Sequence, residues 1–340
     1  MRVGVIGLGR MGRFYAQTIA SLPPAATLAA VADQDPRVVA AVTSELGVED
    51  AFTDPMAIIE QAGIDAVVIA TPTSTHADLV IAAAHAGKPI FCEKPLALSL
   101  ERTRAAHAAA EEAGVQLQVG FMRRFDPPHQ QAKALIDAGR IGRPLIFRAL
   151  NRDPSCPPVD FANPAFSGGL VVDMGVHDFD VARWFMSSEV ERVSADGALL
   201  LCEELARVGD IDTAFINLRF ANGMLGNIEL TRDARYTFDI RSEVLGSEGA
   251  VMLGRGASEE VQLLTPPPPS GDSRPHFVRR FEHAYRAQIE HFIDCVQHQR
   301  QPLVGGGDAL AAFEIAHAAT LAWQRGAPVE LSELRERAGV

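Results

Sequence analysis

Three side chains in this 340-residue sequence have the types and positions that acid–base chemistry on an alcohol demands. Oxidising a secondary alcohol needs a base for the hydroxyl proton, a donor that stabilises charge on the oxygen, and an acceptor for hydride. Lys94, inside the run Glu93, Lys94, Pro95, directly follows the apolar stretch 89–92, which reads as a buried strand. Its ammonium is therefore expected at a strand end. Asp173 and His177 stand four positions apart in a segment of helical spacing, so they share one helix face. Imidazole exchanges protons near neutral pH. A carboxylate beside it orients the ring and favours the imidazolium left after proton abstraction. Spacing alone leaves a plainer reading open, in which Asp173 and His177 are a helix-surface ion pair and Lys94 an ordinary surface lysine. Asp178 and Asp180 fit solvated helix faces equally well.

The hydride acceptor points to the N-terminus. Residues 2–6 form an apolar run that ends in Gly7, Gly9 and Gly12, after which 14–22 has helical spacing. Strand, glycine turn and helix in that order make a dinucleotide cradle. Gly7 permits the tight turn, Gly9 lets the backbone approach a pyrophosphate, and Gly12 lets helix and strand pack closely. A second apolar run, 28–32, ends in Asp33, 21 positions beyond Gly12. A carboxylate there accepts hydrogen bonds from both adenosine ribose hydroxyls and repels a 2′-phosphate, which favours NAD over NADP. Arg37 is the nearby guanidinium that could partly serve a phosphate.

Strand and helix patterns then alternate: helices at 36–46 and 55–61, a strand at 66–70 closed by Thr71, Pro72 and Thr73, a helix at 75–86, the strand before Lys94, a helix at 99–113 and a strand at 116–120. Such alternation indicates right-handed parallel crossovers, with ligands beyond the carboxyl ends of the strands. Thr71 to Thr75, Lys94, and Gly120 to Arg123 fall at those ends and are expected to line one crevice. The expected cofactor-facing residues are Gly7, Leu8, Gly9, Arg10, Met11, Gly12, Asp33, Thr71, Pro72, Thr73, His76, Glu93 and Lys94.

Beyond residue 121 the pattern changes, which sets a boundary between a domain at 1–121 and a second at 122–340. A helix at 128–138 and a strand at 144–150 lead into 151–169, rich in proline, asparagine and glycine, which reads as a functional loop. A helix over 171–186 starts after Gly168 and Gly169. Residues 214–220 and 224–230 read as a hairpin around Asn222 and Gly223, and 235–245 with 250–253 as another. The expected fold class is α/β: an N-terminal Rossmann fold plus a C-terminal α+β domain with a largely antiparallel open sheet. A sheet face left uncovered by helices calls for a homo-oligomer, a tetramer or a dimer. Pro266 to Pro269 with Ser270 and Gly271 reads as an exposed polyproline-like loop. Phe277, Phe281, Ala284, Tyr285, Gln288, Ile289, Phe292 and Val296 form a helical core stripe.

Composition narrows the classes. A formal net charge of -12, from 43 acidic and 31 basic residues without a Lys/Arg block, argues against nucleic-acid partners. No stretch approaches the roughly 20 apolar residues of a membrane span, and the opening residues lack the pattern of an export signal, so a cytoplasmic location is expected. Cys92, Cys156, Cys202 and Cys295 have no zinc-ligand spacing and read as reduced structural thiols. No metal is expected, since Lys94 supplies the positive charge a zinc ion would otherwise provide.

Taken together, Gly7, Gly9 and Gly12, then Glu93, Lys94 and Pro95, then Asp173 to His177 resemble the glucose-fructose oxidoreductase/inositol dehydrogenase (Gfo/Idh/MocA) family. The resemblance covers nearly the whole chain. Within the family the likeness to inositol 2-dehydrogenases is strongest, carried by 119–126 (VGFMRRFD), 173–180 (DMGVHDFD), Tyr236 with Asp239 and Ile240, and 280–285 (RFEHAY). It implies NAD as cofactor and a cyclic polyol as substrate, most simply myo-inositol oxidised to scyllo-inosose. Lys94 would hydrogen-bond the reacting hydroxyl, Asp173 assist it, and His177 act as acid/base. A cis peptide at Pro95 is also a family feature. Arg123, Asn151, Arg152, Asp153 and Tyr236 would meet the substrate alongside Lys94, Asp173 and His177. Asn151 departs from the pattern, because some inositol dehydrogenases hold a histidine there, so another inositol isomer, a monosaccharide or an anhydrosugar such as levoglucosan is the alternative substrate. A non-catalytic dinucleotide-binding protein is the contrasting class, and the joint presence of Lys94, Asp173 and His177 speaks against it.

Overall fold

The computed structural model describes residues 1–254 and 276–336, in two compact units. The first comprises Met1–Phe125 with His283–Leu310, the second Asp126–Glu282 with Ala311–Val340. The segment 283–310 thus returns to the first unit, a feature that a single division after residue 121 does not contain. The polyproline-like stretch 266–271 lies outside the described residues.

In the first unit six parallel strands, β1 (Arg2–Ile6), β2 (Thr27–Ala32), β3 (Asp50–Phe52), β4 (Ala66–Ile69), β5 (Ile90–Cys92) and β6 (Leu117–Val119), pair in the order β3-β2-β1-β4-β5-β6. This is the Rossmann order, reversing direction at β1 and β4. The crossovers carry α1 (Arg10–Ala20), α2 (Pro36–Leu46), α3 (Met56–Ile59), α4 (Thr73–His85) and α5 (Leu100–Glu112). The central strand β4, Ala-Val-Val-Ile, has no polar residue to turn outward and is buried throughout, as expected of a parallel sheet covered on both faces. The short strand β3 escapes a periodicity reading because three residues show no period. The returning segment completes this core. Tyr285 stacks edge-on to Phe14, and Phe292 lies 6.1 Å from Phe91, ring centre to ring centre. Gln118 donates from its side-chain amide to the Gln288 carbonyl. The part of the stripe in this segment is therefore core, with Ala284, Gln288, Ile289 and Phe292 fully buried.

The second unit contains a seven-stranded sheet of β7 (Pro144–Arg152), β8 (Val190–Ala198), β9 (Thr213–Phe220), β10 (Leu225–Thr231), β11 (Asp239–Gly246), β12 (Ala250–Leu253) and β13 (Val329–Glu330), in the order β12-β11-β7-β10-β9-β8-β13. Only β7 and β10 run parallel. Both expected hairpins form. The second one starts later than its pattern suggested, because Asp233 and Arg235 take left-handed backbone angles and hold 232–238 out of the strand.

Its helices are α6 (Pro127–Asp137), α7 (Val159–Ala162), α8 (Pro164–Ser167), α9 (Gly169–Asp173), α10 (Gly175–Met186), α11 (His276–His298), α12 (Gly306–Arg325) and α13 (Leu331–Glu336); α11 and α12 each contribute to both units. The expected long loop at 151–169 is shorter in fact. Asn151 and Arg152 complete β7, and Asn163 caps α8 by accepting from the Ala165 N–H, with Pro164 in the first turn. The helix expected over 171–186 is interrupted at Met174. Cys156 and Cys202 are joined in a disulfide, which corrects the reading of four reduced thiols; Cys92 and Cys295 are free and buried. Along β9 burial alternates residue by residue, and the outward face of the sheet displays Phe215, Leu225 and Met252. No helix among the described residues is long and apolar enough to cross a membrane.

Candidate active site

The glycine turn separates packing from ligand requirements. Gly7 has φ +86°, and a Cβ there would sit 2.7 Å from the backbone of Ala70 and Thr71. A Cβ on Gly12 would fall 1.7 Å from the Gly7 carbonyl oxygen. Both glycines are thus demanded by the fold itself. Gly9 is not: its φ of -63° suits any residue, and a Cβ there would meet nothing within 4 Å. It caps α1 with no side chain, leaving the first-turn N–H groups of Arg10, Met11 and Gly12 at the positive end of the helix dipole. A turn that keeps open space in front of uncapped amides fits a pyrophosphate. Leu8 is buried beneath it.

Asp33 directly follows β2. One carboxylate oxygen accepts from the Leu8 N–H at 2.7 Å and the other from the Asp35 N–H at 3.0 Å, which fixes its plane beside the turn. Arg37, the candidate phosphate ligand, instead donates from two nitrogens to Asp35, whose carboxyl it holds below the usual range.

At the far strand ends the residues are tied to one another. Thr75 donates to the Thr71 hydroxyl. His76 is buried with Nε2 2.8 Å from the Thr71 carbonyl oxygen and Nδ1 2.8 Å from that of Pro95, so it links the end of β4 to the turn after β5; burial lowers its proton affinity. The Lys94–Pro95 peptide is cis. From Ile90 to Ala97 every residue is buried except Lys94. Glu93, beside it, is buried: Tyr15 donates to Oε1, the Lys94 N–H donates to Oε2 at 3.1 Å, and Gln288 donates to the Tyr15 hydroxyl at 2.9 Å. Burial pushes the Glu93 carboxyl above its usual range, against the pull of the Tyr15 hydrogen bond and the Lys94 charge. Arg123, expected to meet substrate, is fully buried in the first unit.

The second unit repeats the pattern. From Gly169 to Ala182 every residue is buried except Asp173 and His177. They flank the interruption at Met174, so Asp173 ends α9 and His177 lies in the first turn of α10. Asp178 and Asp180 are buried, not solvated as their alternative reading had it. Asn151 is buried too, and its amide donates to Asp178 at 2.9 Å, which binds β7 to α10. Arg152 donates to Glu229 at 2.6 Å and to the Tyr236 hydroxyl at 3.1 Å, and Tyr236 donates to Asp239 at 2.7 Å. The Glu229 hydrogen bond is the main reason the Arg152 guanidinium holds its proton more tightly than usual. Asp153 is half-buried, its backbone joined to Thr231 and Ala234. A groove of about 720 Å³ elsewhere in this unit is lined by α6, β12 and Asp239, and includes none of the expected substrate contacts.

Four further residues have structural roles at these ends that the sequence pattern does not mark: Tyr15, Gln288, Asp210 and Arg232. Tyr15 and Gln288 sit in helical core stripes, where their polar atoms leave no signature in the pattern. Asp210 and Arg232 are separated in sequence from the residues they serve.

Comparison with known proteins agrees with this geometry. Residues 1–121 match the oxidoreductase family model for an NAD-binding Rossmann fold, and 133–331 match that family's C-terminal alpha/beta domain. The fold and the glycine cradle are those of an NAD-binding oxidoreductase. The chain belongs to the Gfo/Idh/MocA family. It is 41% identical over 340 residues to the scyllo-inositol 2-dehydrogenase (NAD(+)) of Bacillus subtilis, covering 100% of this chain and 99% of that one. It is 39% identical to the myo-inositol 2-dehydrogenase of Thermotoga maritima, covering 98% and 99%. Among solved structures, scyllo-inositol dehydrogenase from Lactobacillus casei with bound NAD(H) and scyllo-inositol superposes with a TM-score of 0.86 at 31% identity, over 98% of this chain and 99% of that one. The enzyme is thus an NAD-dependent oxidoreductase of cyclic polyols or sugars.

Proposed function

We propose that this enzyme is an inositol 2-dehydrogenase that oxidises myo-inositol to scyllo-inosose. The observation that carries the catalytic assignment is the exposure pattern: in each unit a long buried run opens to solvent only at the residues that chemistry would use, Lys94 in one and Asp173 with His177 in the other. A lysine, an aspartate and a histidine left partly exposed inside otherwise buried segments are retained at the expense of packing, which fits groups that must meet a ligand.

Bound NAD supplies the hydride acceptor. Lys94 donates a hydrogen bond to the reacting hydroxyl oxygen and stabilises its developing negative charge. His177 takes the hydroxyl proton, and Asp173 favours the resulting imidazolium. Arg152 keeps further N–H groups to donate to the remaining ring hydroxyls, and Tyr236, which accepts from Arg152 and donates to Asp239, offers its hydroxyl oxygen as an acceptor, with Asp153 beside them. Asn151 and Arg123 act from beneath, since both are buried. The names of the relatives favour a second substrate, scyllo-inositol. Oxidation of the axial hydroxyl of myo-inositol, or of any hydroxyl of scyllo-inositol, gives the same ketone. NADH formation across a panel of myo-inositol, scyllo-inositol, other isomers, monosaccharides and levoglucosan tests the proposal, and fast turnover of another compound with none of myo-inositol rejects it.

Two further properties belong to this reading. The apolar outward sheet face of Phe215, Leu225 and Met252 suits a closed homo-oligomer, a tetramer or a dimer, measurable by light scattering. A cytoplasmic location is the second, checked by fractionation.

A further inference from the structure

Arg232 follows β10 and is 1% exposed. One of its terminal nitrogens lies 3.2 Å from Asp210 Oδ2 and the other 3.4 Å from Asp173 Oδ2. Asp210 is itself anchored, both its oxygens accepting from the Leu170 N–H at 3.1 Å in the first turn of α9. Gly169 makes this possible, because a Cβ there would come within 2.7 Å of Asp210 Oδ1. Asp210 therefore caps the start of α9 while Asp173 ends it. A partly buried carboxylate at the end of a five-residue helix is fixed in place by a cation close by. The planar guanidinium provides one, with two nitrogens reaching two acids at once. Asp210 and Arg232 are nearly fully buried, whereas the Asp173 side chain keeps 21% of its surface exposed. The clamp grips Asp173 from the inside and leaves its outer side open.

We propose that Arg232, braced by Asp210, is the positioning residue that sets the Asp173 carboxylate for the proton transfer at His177; this rests on the dehydrogenase reading above. A buried arginine with two acid partners could also serve folding alone, so the test is non-additivity. Arg232→Lys, Arg232→Gln and Asp210→Asn are each made in the wild-type and Asp173→Asn backgrounds, and kcat, KM for the polyol and the NADH dissociation constant are measured. In the wild type, Arg232→Gln is expected to lower kcat roughly 100-fold and Arg232→Lys, which keeps the charge but not the fork, about 10-fold, with NADH affinity within about twofold. In the Asp173→Asn background each should cost less than about threefold. Equal losses in both backgrounds overturn the clamp. Loss of no activity in Asp173→Asn itself overturns the assigned role of Asp173 instead, which separates the two failures. If Arg232→Gln does not fold, Arg232→Lys and Asp210→Asn complete the cycle. A crystal structure of Asp210→Asn or Arg232→Lys provides a readout independent of turnover: an Asp173 side chain in its wild-type rotamer overturns the proposal, and a displaced one supports it.

Discussion

Gly9 allows ligand binding to be separated from folding with a single methyl group. At this position φ is -63° and the added Cβ meets no protein atom within 4 Å, so Gly9→Ala introduces neither strain nor clash. Two small effects on stability oppose each other. Restricting the unfolded chain stabilises by about 0.4–1 kcal/mol, and alanine caps a helix less well than glycine by a similar amount. The net change should stay within about 0.5 kcal/mol, so Tm moves by no more than about 2 °C. For a pyrophosphate seated on the uncapped amides of α1, the methyl group occupies the approach path. Losing one charge-assisted hydrogen bond, at roughly 1.5–3 kcal/mol, corresponds to a tenfold to roughly hundredfold weaker Kd. The assay is titration of NADH fluorescence beside calorimetric unfolding of the same samples. Gly12→Ala is the contrast: its Cβ would lie 1.7 Å from the Gly7 oxygen, so it should destabilise by about 3 kcal/mol or more. An NADH affinity for Gly9→Ala within twofold of wild type would refute the argument that this opening exists for the cofactor.

Other outcomes follow from the same structure. Tyr15→Phe removes the hydroxyl donor to buried Glu93 and should lower unfolding free energy by roughly 1–3 kcal/mol in urea titrations; an unchanged midpoint would show that another donor replaces it. Burial raises the Asp126 carboxyl, but hydrogen bonds from His129 and Arg280 outweigh it and hold the group below its usual range. Its stabilisation is thus present above the unfolded carboxylate value and is lost as pH falls through the lower folded one. Asp126→Asn should therefore be less stable than wild type at neutral pH, with a gap that closes in acid, and a gap constant across that range contradicts the assignment. The Cys156–Cys202 bridge spans a sequence separation of 46, for which chain entropy gives an upper figure of about 4 kcal/mol. Cys156→Ser should lower the unfolding midpoint accordingly, and reducing agent should do the same to the wild type but not to the variant. Thiol titration of freshly extracted protein then reports whether the bridge exists in the cell.

The parts of this enzyme that could be read from its sequence are those in which a residue's neighbours along the chain set its environment. Gly7 to Gly12 lie where a strand, a turn and a helix follow one another directly, and β4 and β5 are continuous apolar runs because both faces of the sheet are covered there. The same locality made Lys94 legible, since it ends such a run. The segment 283–310 shows the limit. Its stripe of Tyr285, Ile289 and Phe292 announces a buried helix, but periodicity carries no address, and this part of the helix packs against Phe14 and Phe91 of the first unit. Strands as short as β3 and β13 fail for another reason, because two or three residues cannot display a period.

Charge followed the same division with a sharper consequence for the site. A spacing of four puts Asp173 and His177 on one face but does not by itself separate catalysis from a surface ion pair, and it says as little of Asp178 and Asp180, which are buried. A polar residue in a helix is solvated or buried according to whether a partner reaches it from elsewhere, and for Asp178 the partner is Asn151 at the end of β7. That contact gives Asn151 a role in the framework of this unit. The Asn151 amide is engaged with the framework that holds α10, so exchanging this buried residue for histidine would replace the amide donor to Asp178 and alter the packing beneath the site. In this chain a change at Asn151 is then coupled to how α10 is braced. For that reason an Asn151→His variant should be assayed for both its polyol panel and its unfolding midpoint: a shifted preference at unchanged stability would assign Asn151 to recognition, and a parallel loss of turnover on every polyol together with stability would assign it to the framework.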